Sequence, residues 1–166
     1  MKIIDIYTDG SHLNKQSVGG RLGCGGIMVE RTEQGFGKVI DSFSEELTAD
    51  YLEKNYGTSN VSNPTAEMLG LFYALSTFNI PKDATQIVIH SDYNGVGAFM
   101  TGTWKIKEPY IKKIKERIDK IIKAKRLDGK ISYEWVKAHQ SRIAISTNRD
   151  AYWNNYVDSL AKGEKK

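Results

Sequence analysis

A chain of 166 residues is long enough for one domain with a real core and too short for two ordinary ones. Its 40% apolar and 27% charged content is that of a globular protein, and a lone cysteine, Cys24, excludes an internal disulfide and fits a reducing, cytoplasmic location. The net charge is +4, no apolar run nears the roughly 20 residues of a membrane helix, and Met1–Asp5 lacks the apolar core of a signal peptide, so no membrane partner is expected.

Lys2–Thr8 is rich in β-branched and aromatic residues and predicts a strand running into Asp9-Gly10-Ser11. Five glycines follow within 19–26 (Gly19, Gly20, Gly23, Gly25 and Gly26) and read as a turn. Ile27–Glu30 and Phe36–Phe43 predict two more strands, turned at Gln34-Gly35, so the first three strands form an antiparallel meander. Glu45–Asn63 is polar and acidic and reads as an extended loop or insertion, with room for a short helix at Leu47–Lys54. Asn63 as cap and Pro64 at the first helical position open a nearly all-apolar helix over Thr65–Phe78. Gln86–His90 is a short apolar strand ending at Ser91-Asp92, and a short helix over Tyr93–Met100 stops at Gly102.

Tyr110–Leu127 predicts an amphipathic helix with Ile111, Ile114, Ile118, Ile121 and Ile122 on one face and mostly lysine on the other. The positive charge is concentrated here: Lys105–Lys130 holds eleven basic against four acidic residues, while the rest of the chain is net negative. A polyanion such as a nucleic acid suits such a patch, and so does plain solvent. Asp128-Gly129 turns the chain into a strand over Ile131–Val136, and a last helix covers Tyr152–Ala161. The order implies an α/β layered domain, with one mixed five-stranded sheet and helices on its faces. The strand–helix–strand crossovers require the later strands to run parallel to the first.

Asp9 and Asp92 fall at the carboxyl ends of predicted strands, where open α/β sheets build their sites. Glu67 interrupts an apolar helix face, and Asp158 borders the apolar stripe of the last helix. Singly, these acids are a turn residue, a first-turn charge, a helix cap and a surface charge. Converging, they would repel one another unless a divalent cation intervened, and an all-oxygen ligand set favours Mg²⁺ or Mn²⁺ over Zn²⁺. His12, His90 and His139 are scattered and have no zinc-ligand spacing.

The ordered set of motifs resembles the type 1 ribonuclease H family. Asp9-Gly10-Ser11, Thr65-Ala66-Glu67-Met68 with Ala74-Leu75, Ser91-Asp92-Tyr93, Trp135-Val136-Lys137-Ala138-His139 and Asn154-Asn155-Tyr156-Val157-Asp158-Ser159-Leu160-Ala161 follow the family's order across almost the whole chain. The resemblance implies a single ribonuclease H-like domain over 1–162, antiparallel in strands 1–3 and parallel in strands 4–5, with a flexible basic tail at 163–166. It implies a monomeric enzyme that cuts the RNA strand of RNA–DNA hybrids with two Mg²⁺ ions, Mn²⁺ substituting, and leaves 5′-phosphate and 3′-hydroxyl ends. By position, Asp9, Glu67, Asp92 and Asp158 would be metal ligands and His139 a proton-transfer residue. Gly10, Ser11, His12, Asn14, Asn63, Asn94, Trp104, Lys105 and Asn154 would meet the substrate, while Trp135 and Trp153 would be packing residues.

Some features depart from the family pattern. Glu45–Asn63 is long, Asp92–Ile131 is too compact for a full basic protrusion, Ser141–Asp150 reads as an inserted loop, and no glycines surround His139. Other classes share parts of the pattern: a non-catalytic duplex-binding module, an integrase- or resolvase-like nuclease on the same scaffold, and a nucleotide-binding α/β protein using the 19–26 glycines. The last lacks G-x-x-x-x-G-K-[ST].

Overall fold

The computed structural model describes residues 1–13, 21–58 and 62–164. Five strands form one sheet in the order β3-β2-β1-β4-β5. These are β1 (Lys2–Leu13), β2 (Arg21–Glu30), β3 (Lys38–Thr48), β4 (Ala84–Ser91) and β5 (Ile131–Trp135). β1–β2 and β2–β3 pair antiparallel, while β1–β4 and β4–β5 pair parallel, as the element order requires. Six helices complete the described fold: α1 (Ala49–Tyr56), α2 (Asn63–Thr77), α3 (Gly95–Thr101), α4 (Pro109–Ala124), α5 (Arg142–Thr147) and α6 (Arg149–Ala161). Among the described residues no helix is long and apolar enough to cross a membrane.

The period of two along β1 divides the core. Ile4 and Ile6 face the larger cluster, with α2 and the Ile111, Ile114 and Ile118 stripe of α4. Tyr7, with Ile27 and Val29 of β2, faces the smaller one, where Trp153, Val157 and Leu160 of α6 cover the sheet. Helices therefore lie on both faces. α2 is buried along most of its length because it sits between the sheet and α4.

Several boundaries differ from the sequence reading. Gly23, Gly25 and Gly26 are not a turn but the middle of β2, paired on both sides; Gly19 and Gly20 lie outside the described residues. A Cβ on Gly25 would stand 2.6 Å from the Leu160 Cβ, so the glycine lets α6 approach the sheet. β3 continues to Thr48, and the anticipated short helix follows as α1, so what looked like an insertion is mostly regular structure. Asn63 is the first helical residue of α2, and Ser62 is its cap, its hydroxyl accepting from the Thr65 N–H. The 141–150 stretch, expected as a loop, holds α5 and the start of α6, each opened by a side-chain cap from Ser141 and Asn148. Trp135 is not a packing residue: it is 61% exposed, because β5 is a five-residue edge strand, while Trp153 is buried as expected.

Candidate active site

β1 and β4 pair only as far as Tyr7 and His90. Beyond that point β1 continues along β2 to Leu13, whereas β4 ends at Ser91 and the chain turns into α3. A crevice therefore opens at the carboxyl end of the parallel pair. Asp9, two residues past the last pair, lies on its β1 side and Asp92 on its β4 side. Asp9 was expected at a strand end; it lies within β1 but beyond the β4 pairing, which puts it at the mouth of the crevice all the same.

Glu67 reaches the crevice from the first turns of α2. The approach is close because Gly10 has no side chain: a Cβ there would lie 2.4 Å from the Ala66 carbonyl carbon and 2.5 Å from the Glu67 nitrogen. The Gly10 N–H donates to both Glu67 Oε1 (2.6 Å) and Asp9 Oδ1 (2.9 Å), locking the two carboxylates side by side. One oxygen each of Asp9, Glu67 and Asp92 lies within 4.8 Å of the others. Asp158 approaches from α6, close enough to act on both aspartates, and its own Oδ2 pairs with Lys162 at 3.0 Å.

The electrostatics follow from this crowding. Burial, then the Asp92 charge and the Asp158 carboxyl, push the Asp9 carboxyl up to about 8, against a lowering hydrogen bond with Glu67. Burial first, then Asp9 and Asp92, also raise Glu67 far above the ordinary carboxylate range. Asp92 is raised by burial and by Asp158, but less, because Glu67 and the Asn154 amide hydrogen-bond to it. An all-oxygen cluster that resists its own ionisation this strongly fits a hard divalent cation, whose charge would remove the repulsion.

Asn154, expected against the substrate, is a buried residue of α6 that serves the Asp92 carboxylate. His139 is exposed and shares a small cleft with Asp92, Asn154 and Asp158. No glycine is needed beside it, because His139 itself takes the left-handed conformation (φ 52°). Ser11 and His12 are half-buried on β1, two and three residues beyond Asp9. Asn63 and Asn94 are exposed at the starts of α2 and α3, and the Asn94 side chain makes no capping bond there. Trp104 is 41% exposed and stands edge-on to Tyr93 and Phe99, beside exposed Lys105. Asn14 lies outside the described residues. The sequence reading missed the support that Asn154 gives Asp92 and the part of α5 in the cleft, through Ile145; the cap at Ser141 was the available signal.

No curated protein sequence matches the chain. Solved structures do. LC11-RNase H1, isolated from compost by a metagenomic approach, is 20% identical with a TM-score of 0.66, covering 99% of this chain and 98% of its own. The N-terminal RNase H domain of a Mycobacterium tuberculosis protein is 22% identical with a TM-score of 0.64, covering 96% and 95%. RNase H1 of the archaeon Halobacterium salinarum is 18% identical with a TM-score of 0.63, covering 96% and 94%. At these identities the likeness is one of fold. The RNase H family model matches residues 1–166, and with a carboxylate cluster at the crevice of that fold, the chain belongs to the RNase H family.

Proposed function

We propose that this protein hydrolyses the RNA strand of RNA–DNA hybrids at the Asp9–Glu67–Asp92–Asp158 cluster, leaving 5′-phosphate and 3′-hydroxyl ends. The observation that carries this is the convergence of Asp9, Glu67 and Asp92, whose carboxyls are all held above the ordinary range by burial and by neighbouring carboxylates and so call for cations. The fold neighbour LC11-RNase H1 has also been solved with an RNA/DNA hybrid. Asp9 would hold two Mg²⁺ ions, Asp158 one of them with it, and Glu67 and Asp92 the other. When bound, such a pair supplies a nucleophile from water and neutralises charge on the leaving 3′ oxygen.

The chain's own groups do the rest. The bifurcated Gly10 N–H sets the orientation of Asp9 and Glu67. Asn154 holds the Asp92 carboxylate toward its ionised form. His139, exposed at the edge of the cleft, moves a proton between the site and solvent. The RNA strand would meet Ser11, His12, Asn14, Asn63 and Asn94, where amides and backbone groups can read a 2′-hydroxyl. The DNA strand would lie on Trp104 and Lys105. A non-catalytic duplex binder gains nothing from four acids beside phosphates.

The decisive assay incubates end-labelled RNA–DNA, RNA–RNA and DNA–DNA duplexes with and without Mg²⁺. RNA cutting in the hybrid alone, and only with the ion, is expected; cutting of DNA duplexes instead would favour an integrase- or resolvase-like enzyme. Asp9→Asn and Asp92→Asn should each abolish cleavage while hybrid affinity holds or rises, since each removes a negative charge. Retained cleavage in both variants would refute the site.

A further inference from the structure

A second cluster lies on the α6 side of the sheet and shares no residue with the carboxylates above. His90, at the end of the β1–β4 pairing, is fully buried and stacks on Tyr7 with ring centroids 4.2 Å apart. Its Nε2 lies 2.7 Å from Asp5 Oδ1. Asp5 is in turn held by two hydrogen bonds from the Arg31 guanidinium, at 2.7 and 2.9 Å. Burial alone would raise the Asp5 carboxyl, but the His90 and Arg31 hydrogen bonds hold it down at about 2. An ionised carboxylate only accepts, so the proton of this hydrogen bond sits on Nε2.

The other ring nitrogen, Nδ1, is buried without a hydrogen-bond partner among the described residues. It points between two carboxylates, 3.8 Å from Glu134 Oε2 of β5 and 4.0 Å from Asp150 Oδ1 of α6. Those distances are too long for hydrogen bonds. They are close to what a shared cation requires: ligands at about 2.0–2.2 Å in a tetrahedron stand roughly 3.4 Å apart. The three ligand atoms lie within 4.8 Å of one another, and closing on one ion takes a contraction of about half an ångström at each Nδ1–carboxylate distance. Glu134, with a side chain 56% exposed on an edge strand, has room for its share, and the start of α6 would move Asp150 by the other. Asp150 Oδ1 also accepts from the Tyr7 hydroxyl at 2.5 Å and from the Arg149 Nε–H at 3.0 Å, and these two bonds orient that carboxylate.

We propose that His90 Nδ1, Glu134 and Asp150 form a second cation site, for a transition-metal dication of the zinc type. One imidazole nitrogen with two carboxylate oxygens suits zinc and disfavours Mg²⁺, which prefers an all-oxygen shell. The Asp5–His90 hydrogen bond is the carboxylate–histidine arrangement that orients metal-bound imidazoles. Arg31 on Asp5 and Arg149 on Asp150 temper the site's negative charge. A bound ion would tie β4, β5 and the start of α6 together, and so hold the helix that carries Asp158 against the strand that leads to Asp92.

The test titrates Zn²⁺ alone into the full chain carrying Asp9→Asn and Asp92→Asn, which disables the first cluster. Uptake is read by calorimetry, and His90 by ¹⁵N NMR. One Zn²⁺ per chain is expected, shifting Nδ1 while Nε2 stays protonated. Adding Glu134→Gln, a change at a half-exposed side chain, should weaken uptake at least tenfold, and so should Asp150→Asn, with circular dichroism confirming that each variant is folded. No uptake, or uptake unchanged in both folded variants, would overturn the proposal. So would an imidazole protonated on both nitrogens in the presence of Zn²⁺, which would assign the cluster to ion pairing.

Discussion

Gly10 positions two of the four carboxylates. Its N–H orients Asp9 and Glu67, and its missing side chain lets the backbone of α2 reach β1. Gly10→Ala should therefore cost about 3 kcal/mol through overpacking and move Glu67 off Asp9. A lowered denaturant midpoint together with lost cleavage is the expected result, and unchanged values of both would refute the packing argument. Asp9 shows the opposite economy. Its carboxyl is raised to about 8, so the folded state holds a proton that the unfolded chain has released above pH 3.8. The metal-free protein should thus lose stability as pH climbs from about 4 through 8. Asp92→Asn removes one of the charges responsible, so it should raise the metal-free melting temperature at pH 8 while lowering the gain that Mg²⁺ brings. A variant that melts lower than wild type without Mg²⁺ would contradict the repulsion argument. The four acids were legible in the sequence as an ordered motif set. Their perturbation was not, because it depends on burial and on mutual distance.

At the scale of elements, α4 is the clearest case of periodicity read correctly, with Ile111, Ile114 and Ile118 buried as a stripe. Its lysine face was less legible. Lys125 caps the end of α2 through the Leu75 and Phe78 carbonyls, Lys115 pairs with Asp119 at 2.8 Å, and Arg117 covers the Tyr56 ring. Lys112 and Lys113 stay exposed, and Lys112 lines one shallow groove with Trp104, Lys105 and Lys115. Neutralising Lys112, Lys113 and Lys115 to glutamine should weaken hybrid binding and flatten its logarithmic salt slope by about 2. The expected change is below three because Lys115 already has a partner. A slope equal to that of wild type would make this face plain solvated surface. β2 and α5 were misread for opposite reasons. Glycine in a strand pattern signals a turn locally, yet pairing on both edges keeps β2 a strand while Gly25 admits α6. α5 buries none of its residues, so it has no apolar periodicity to read.

At the scale of the whole molecule, the site exists because one sheet changes its pairing. β1 is shared by an antiparallel meander and a parallel crossover unit, and the two ladders end at different residues. Three of the four acids come from separate elements that pack at that gap, and Asp158 comes from the opposite layer. Binding Mg²⁺ to this junction should stabilise the fold by mass action, about 2.7 kcal/mol at a hundred times the dissociation constant. The melting temperature should rise with Mg²⁺ and stay flat in Asp9→Asn. An equal rise in that variant would mean that the ion binds elsewhere.

Sequence alone determined the order of the strands and of the helices other than α5, the mixed sheet, the amphipathic α4 and the motif set that resembles the ribonuclease H family. All of these rest on local propensity, on periodicity or on linear order. Tertiary structure decided the rest. One pleated face of β1 brought Asp5 and Tyr7 beside His90, and the start of α6 added Asp150, although these residues are up to 145 positions apart in the chain. The edge position of β5 left Trp135 in solvent. The close approach of α2 at Gly10 turned separate acids into one cluster. Charge coupling and burial fall off with distance in space, and no pattern of spacing along the chain records that distance.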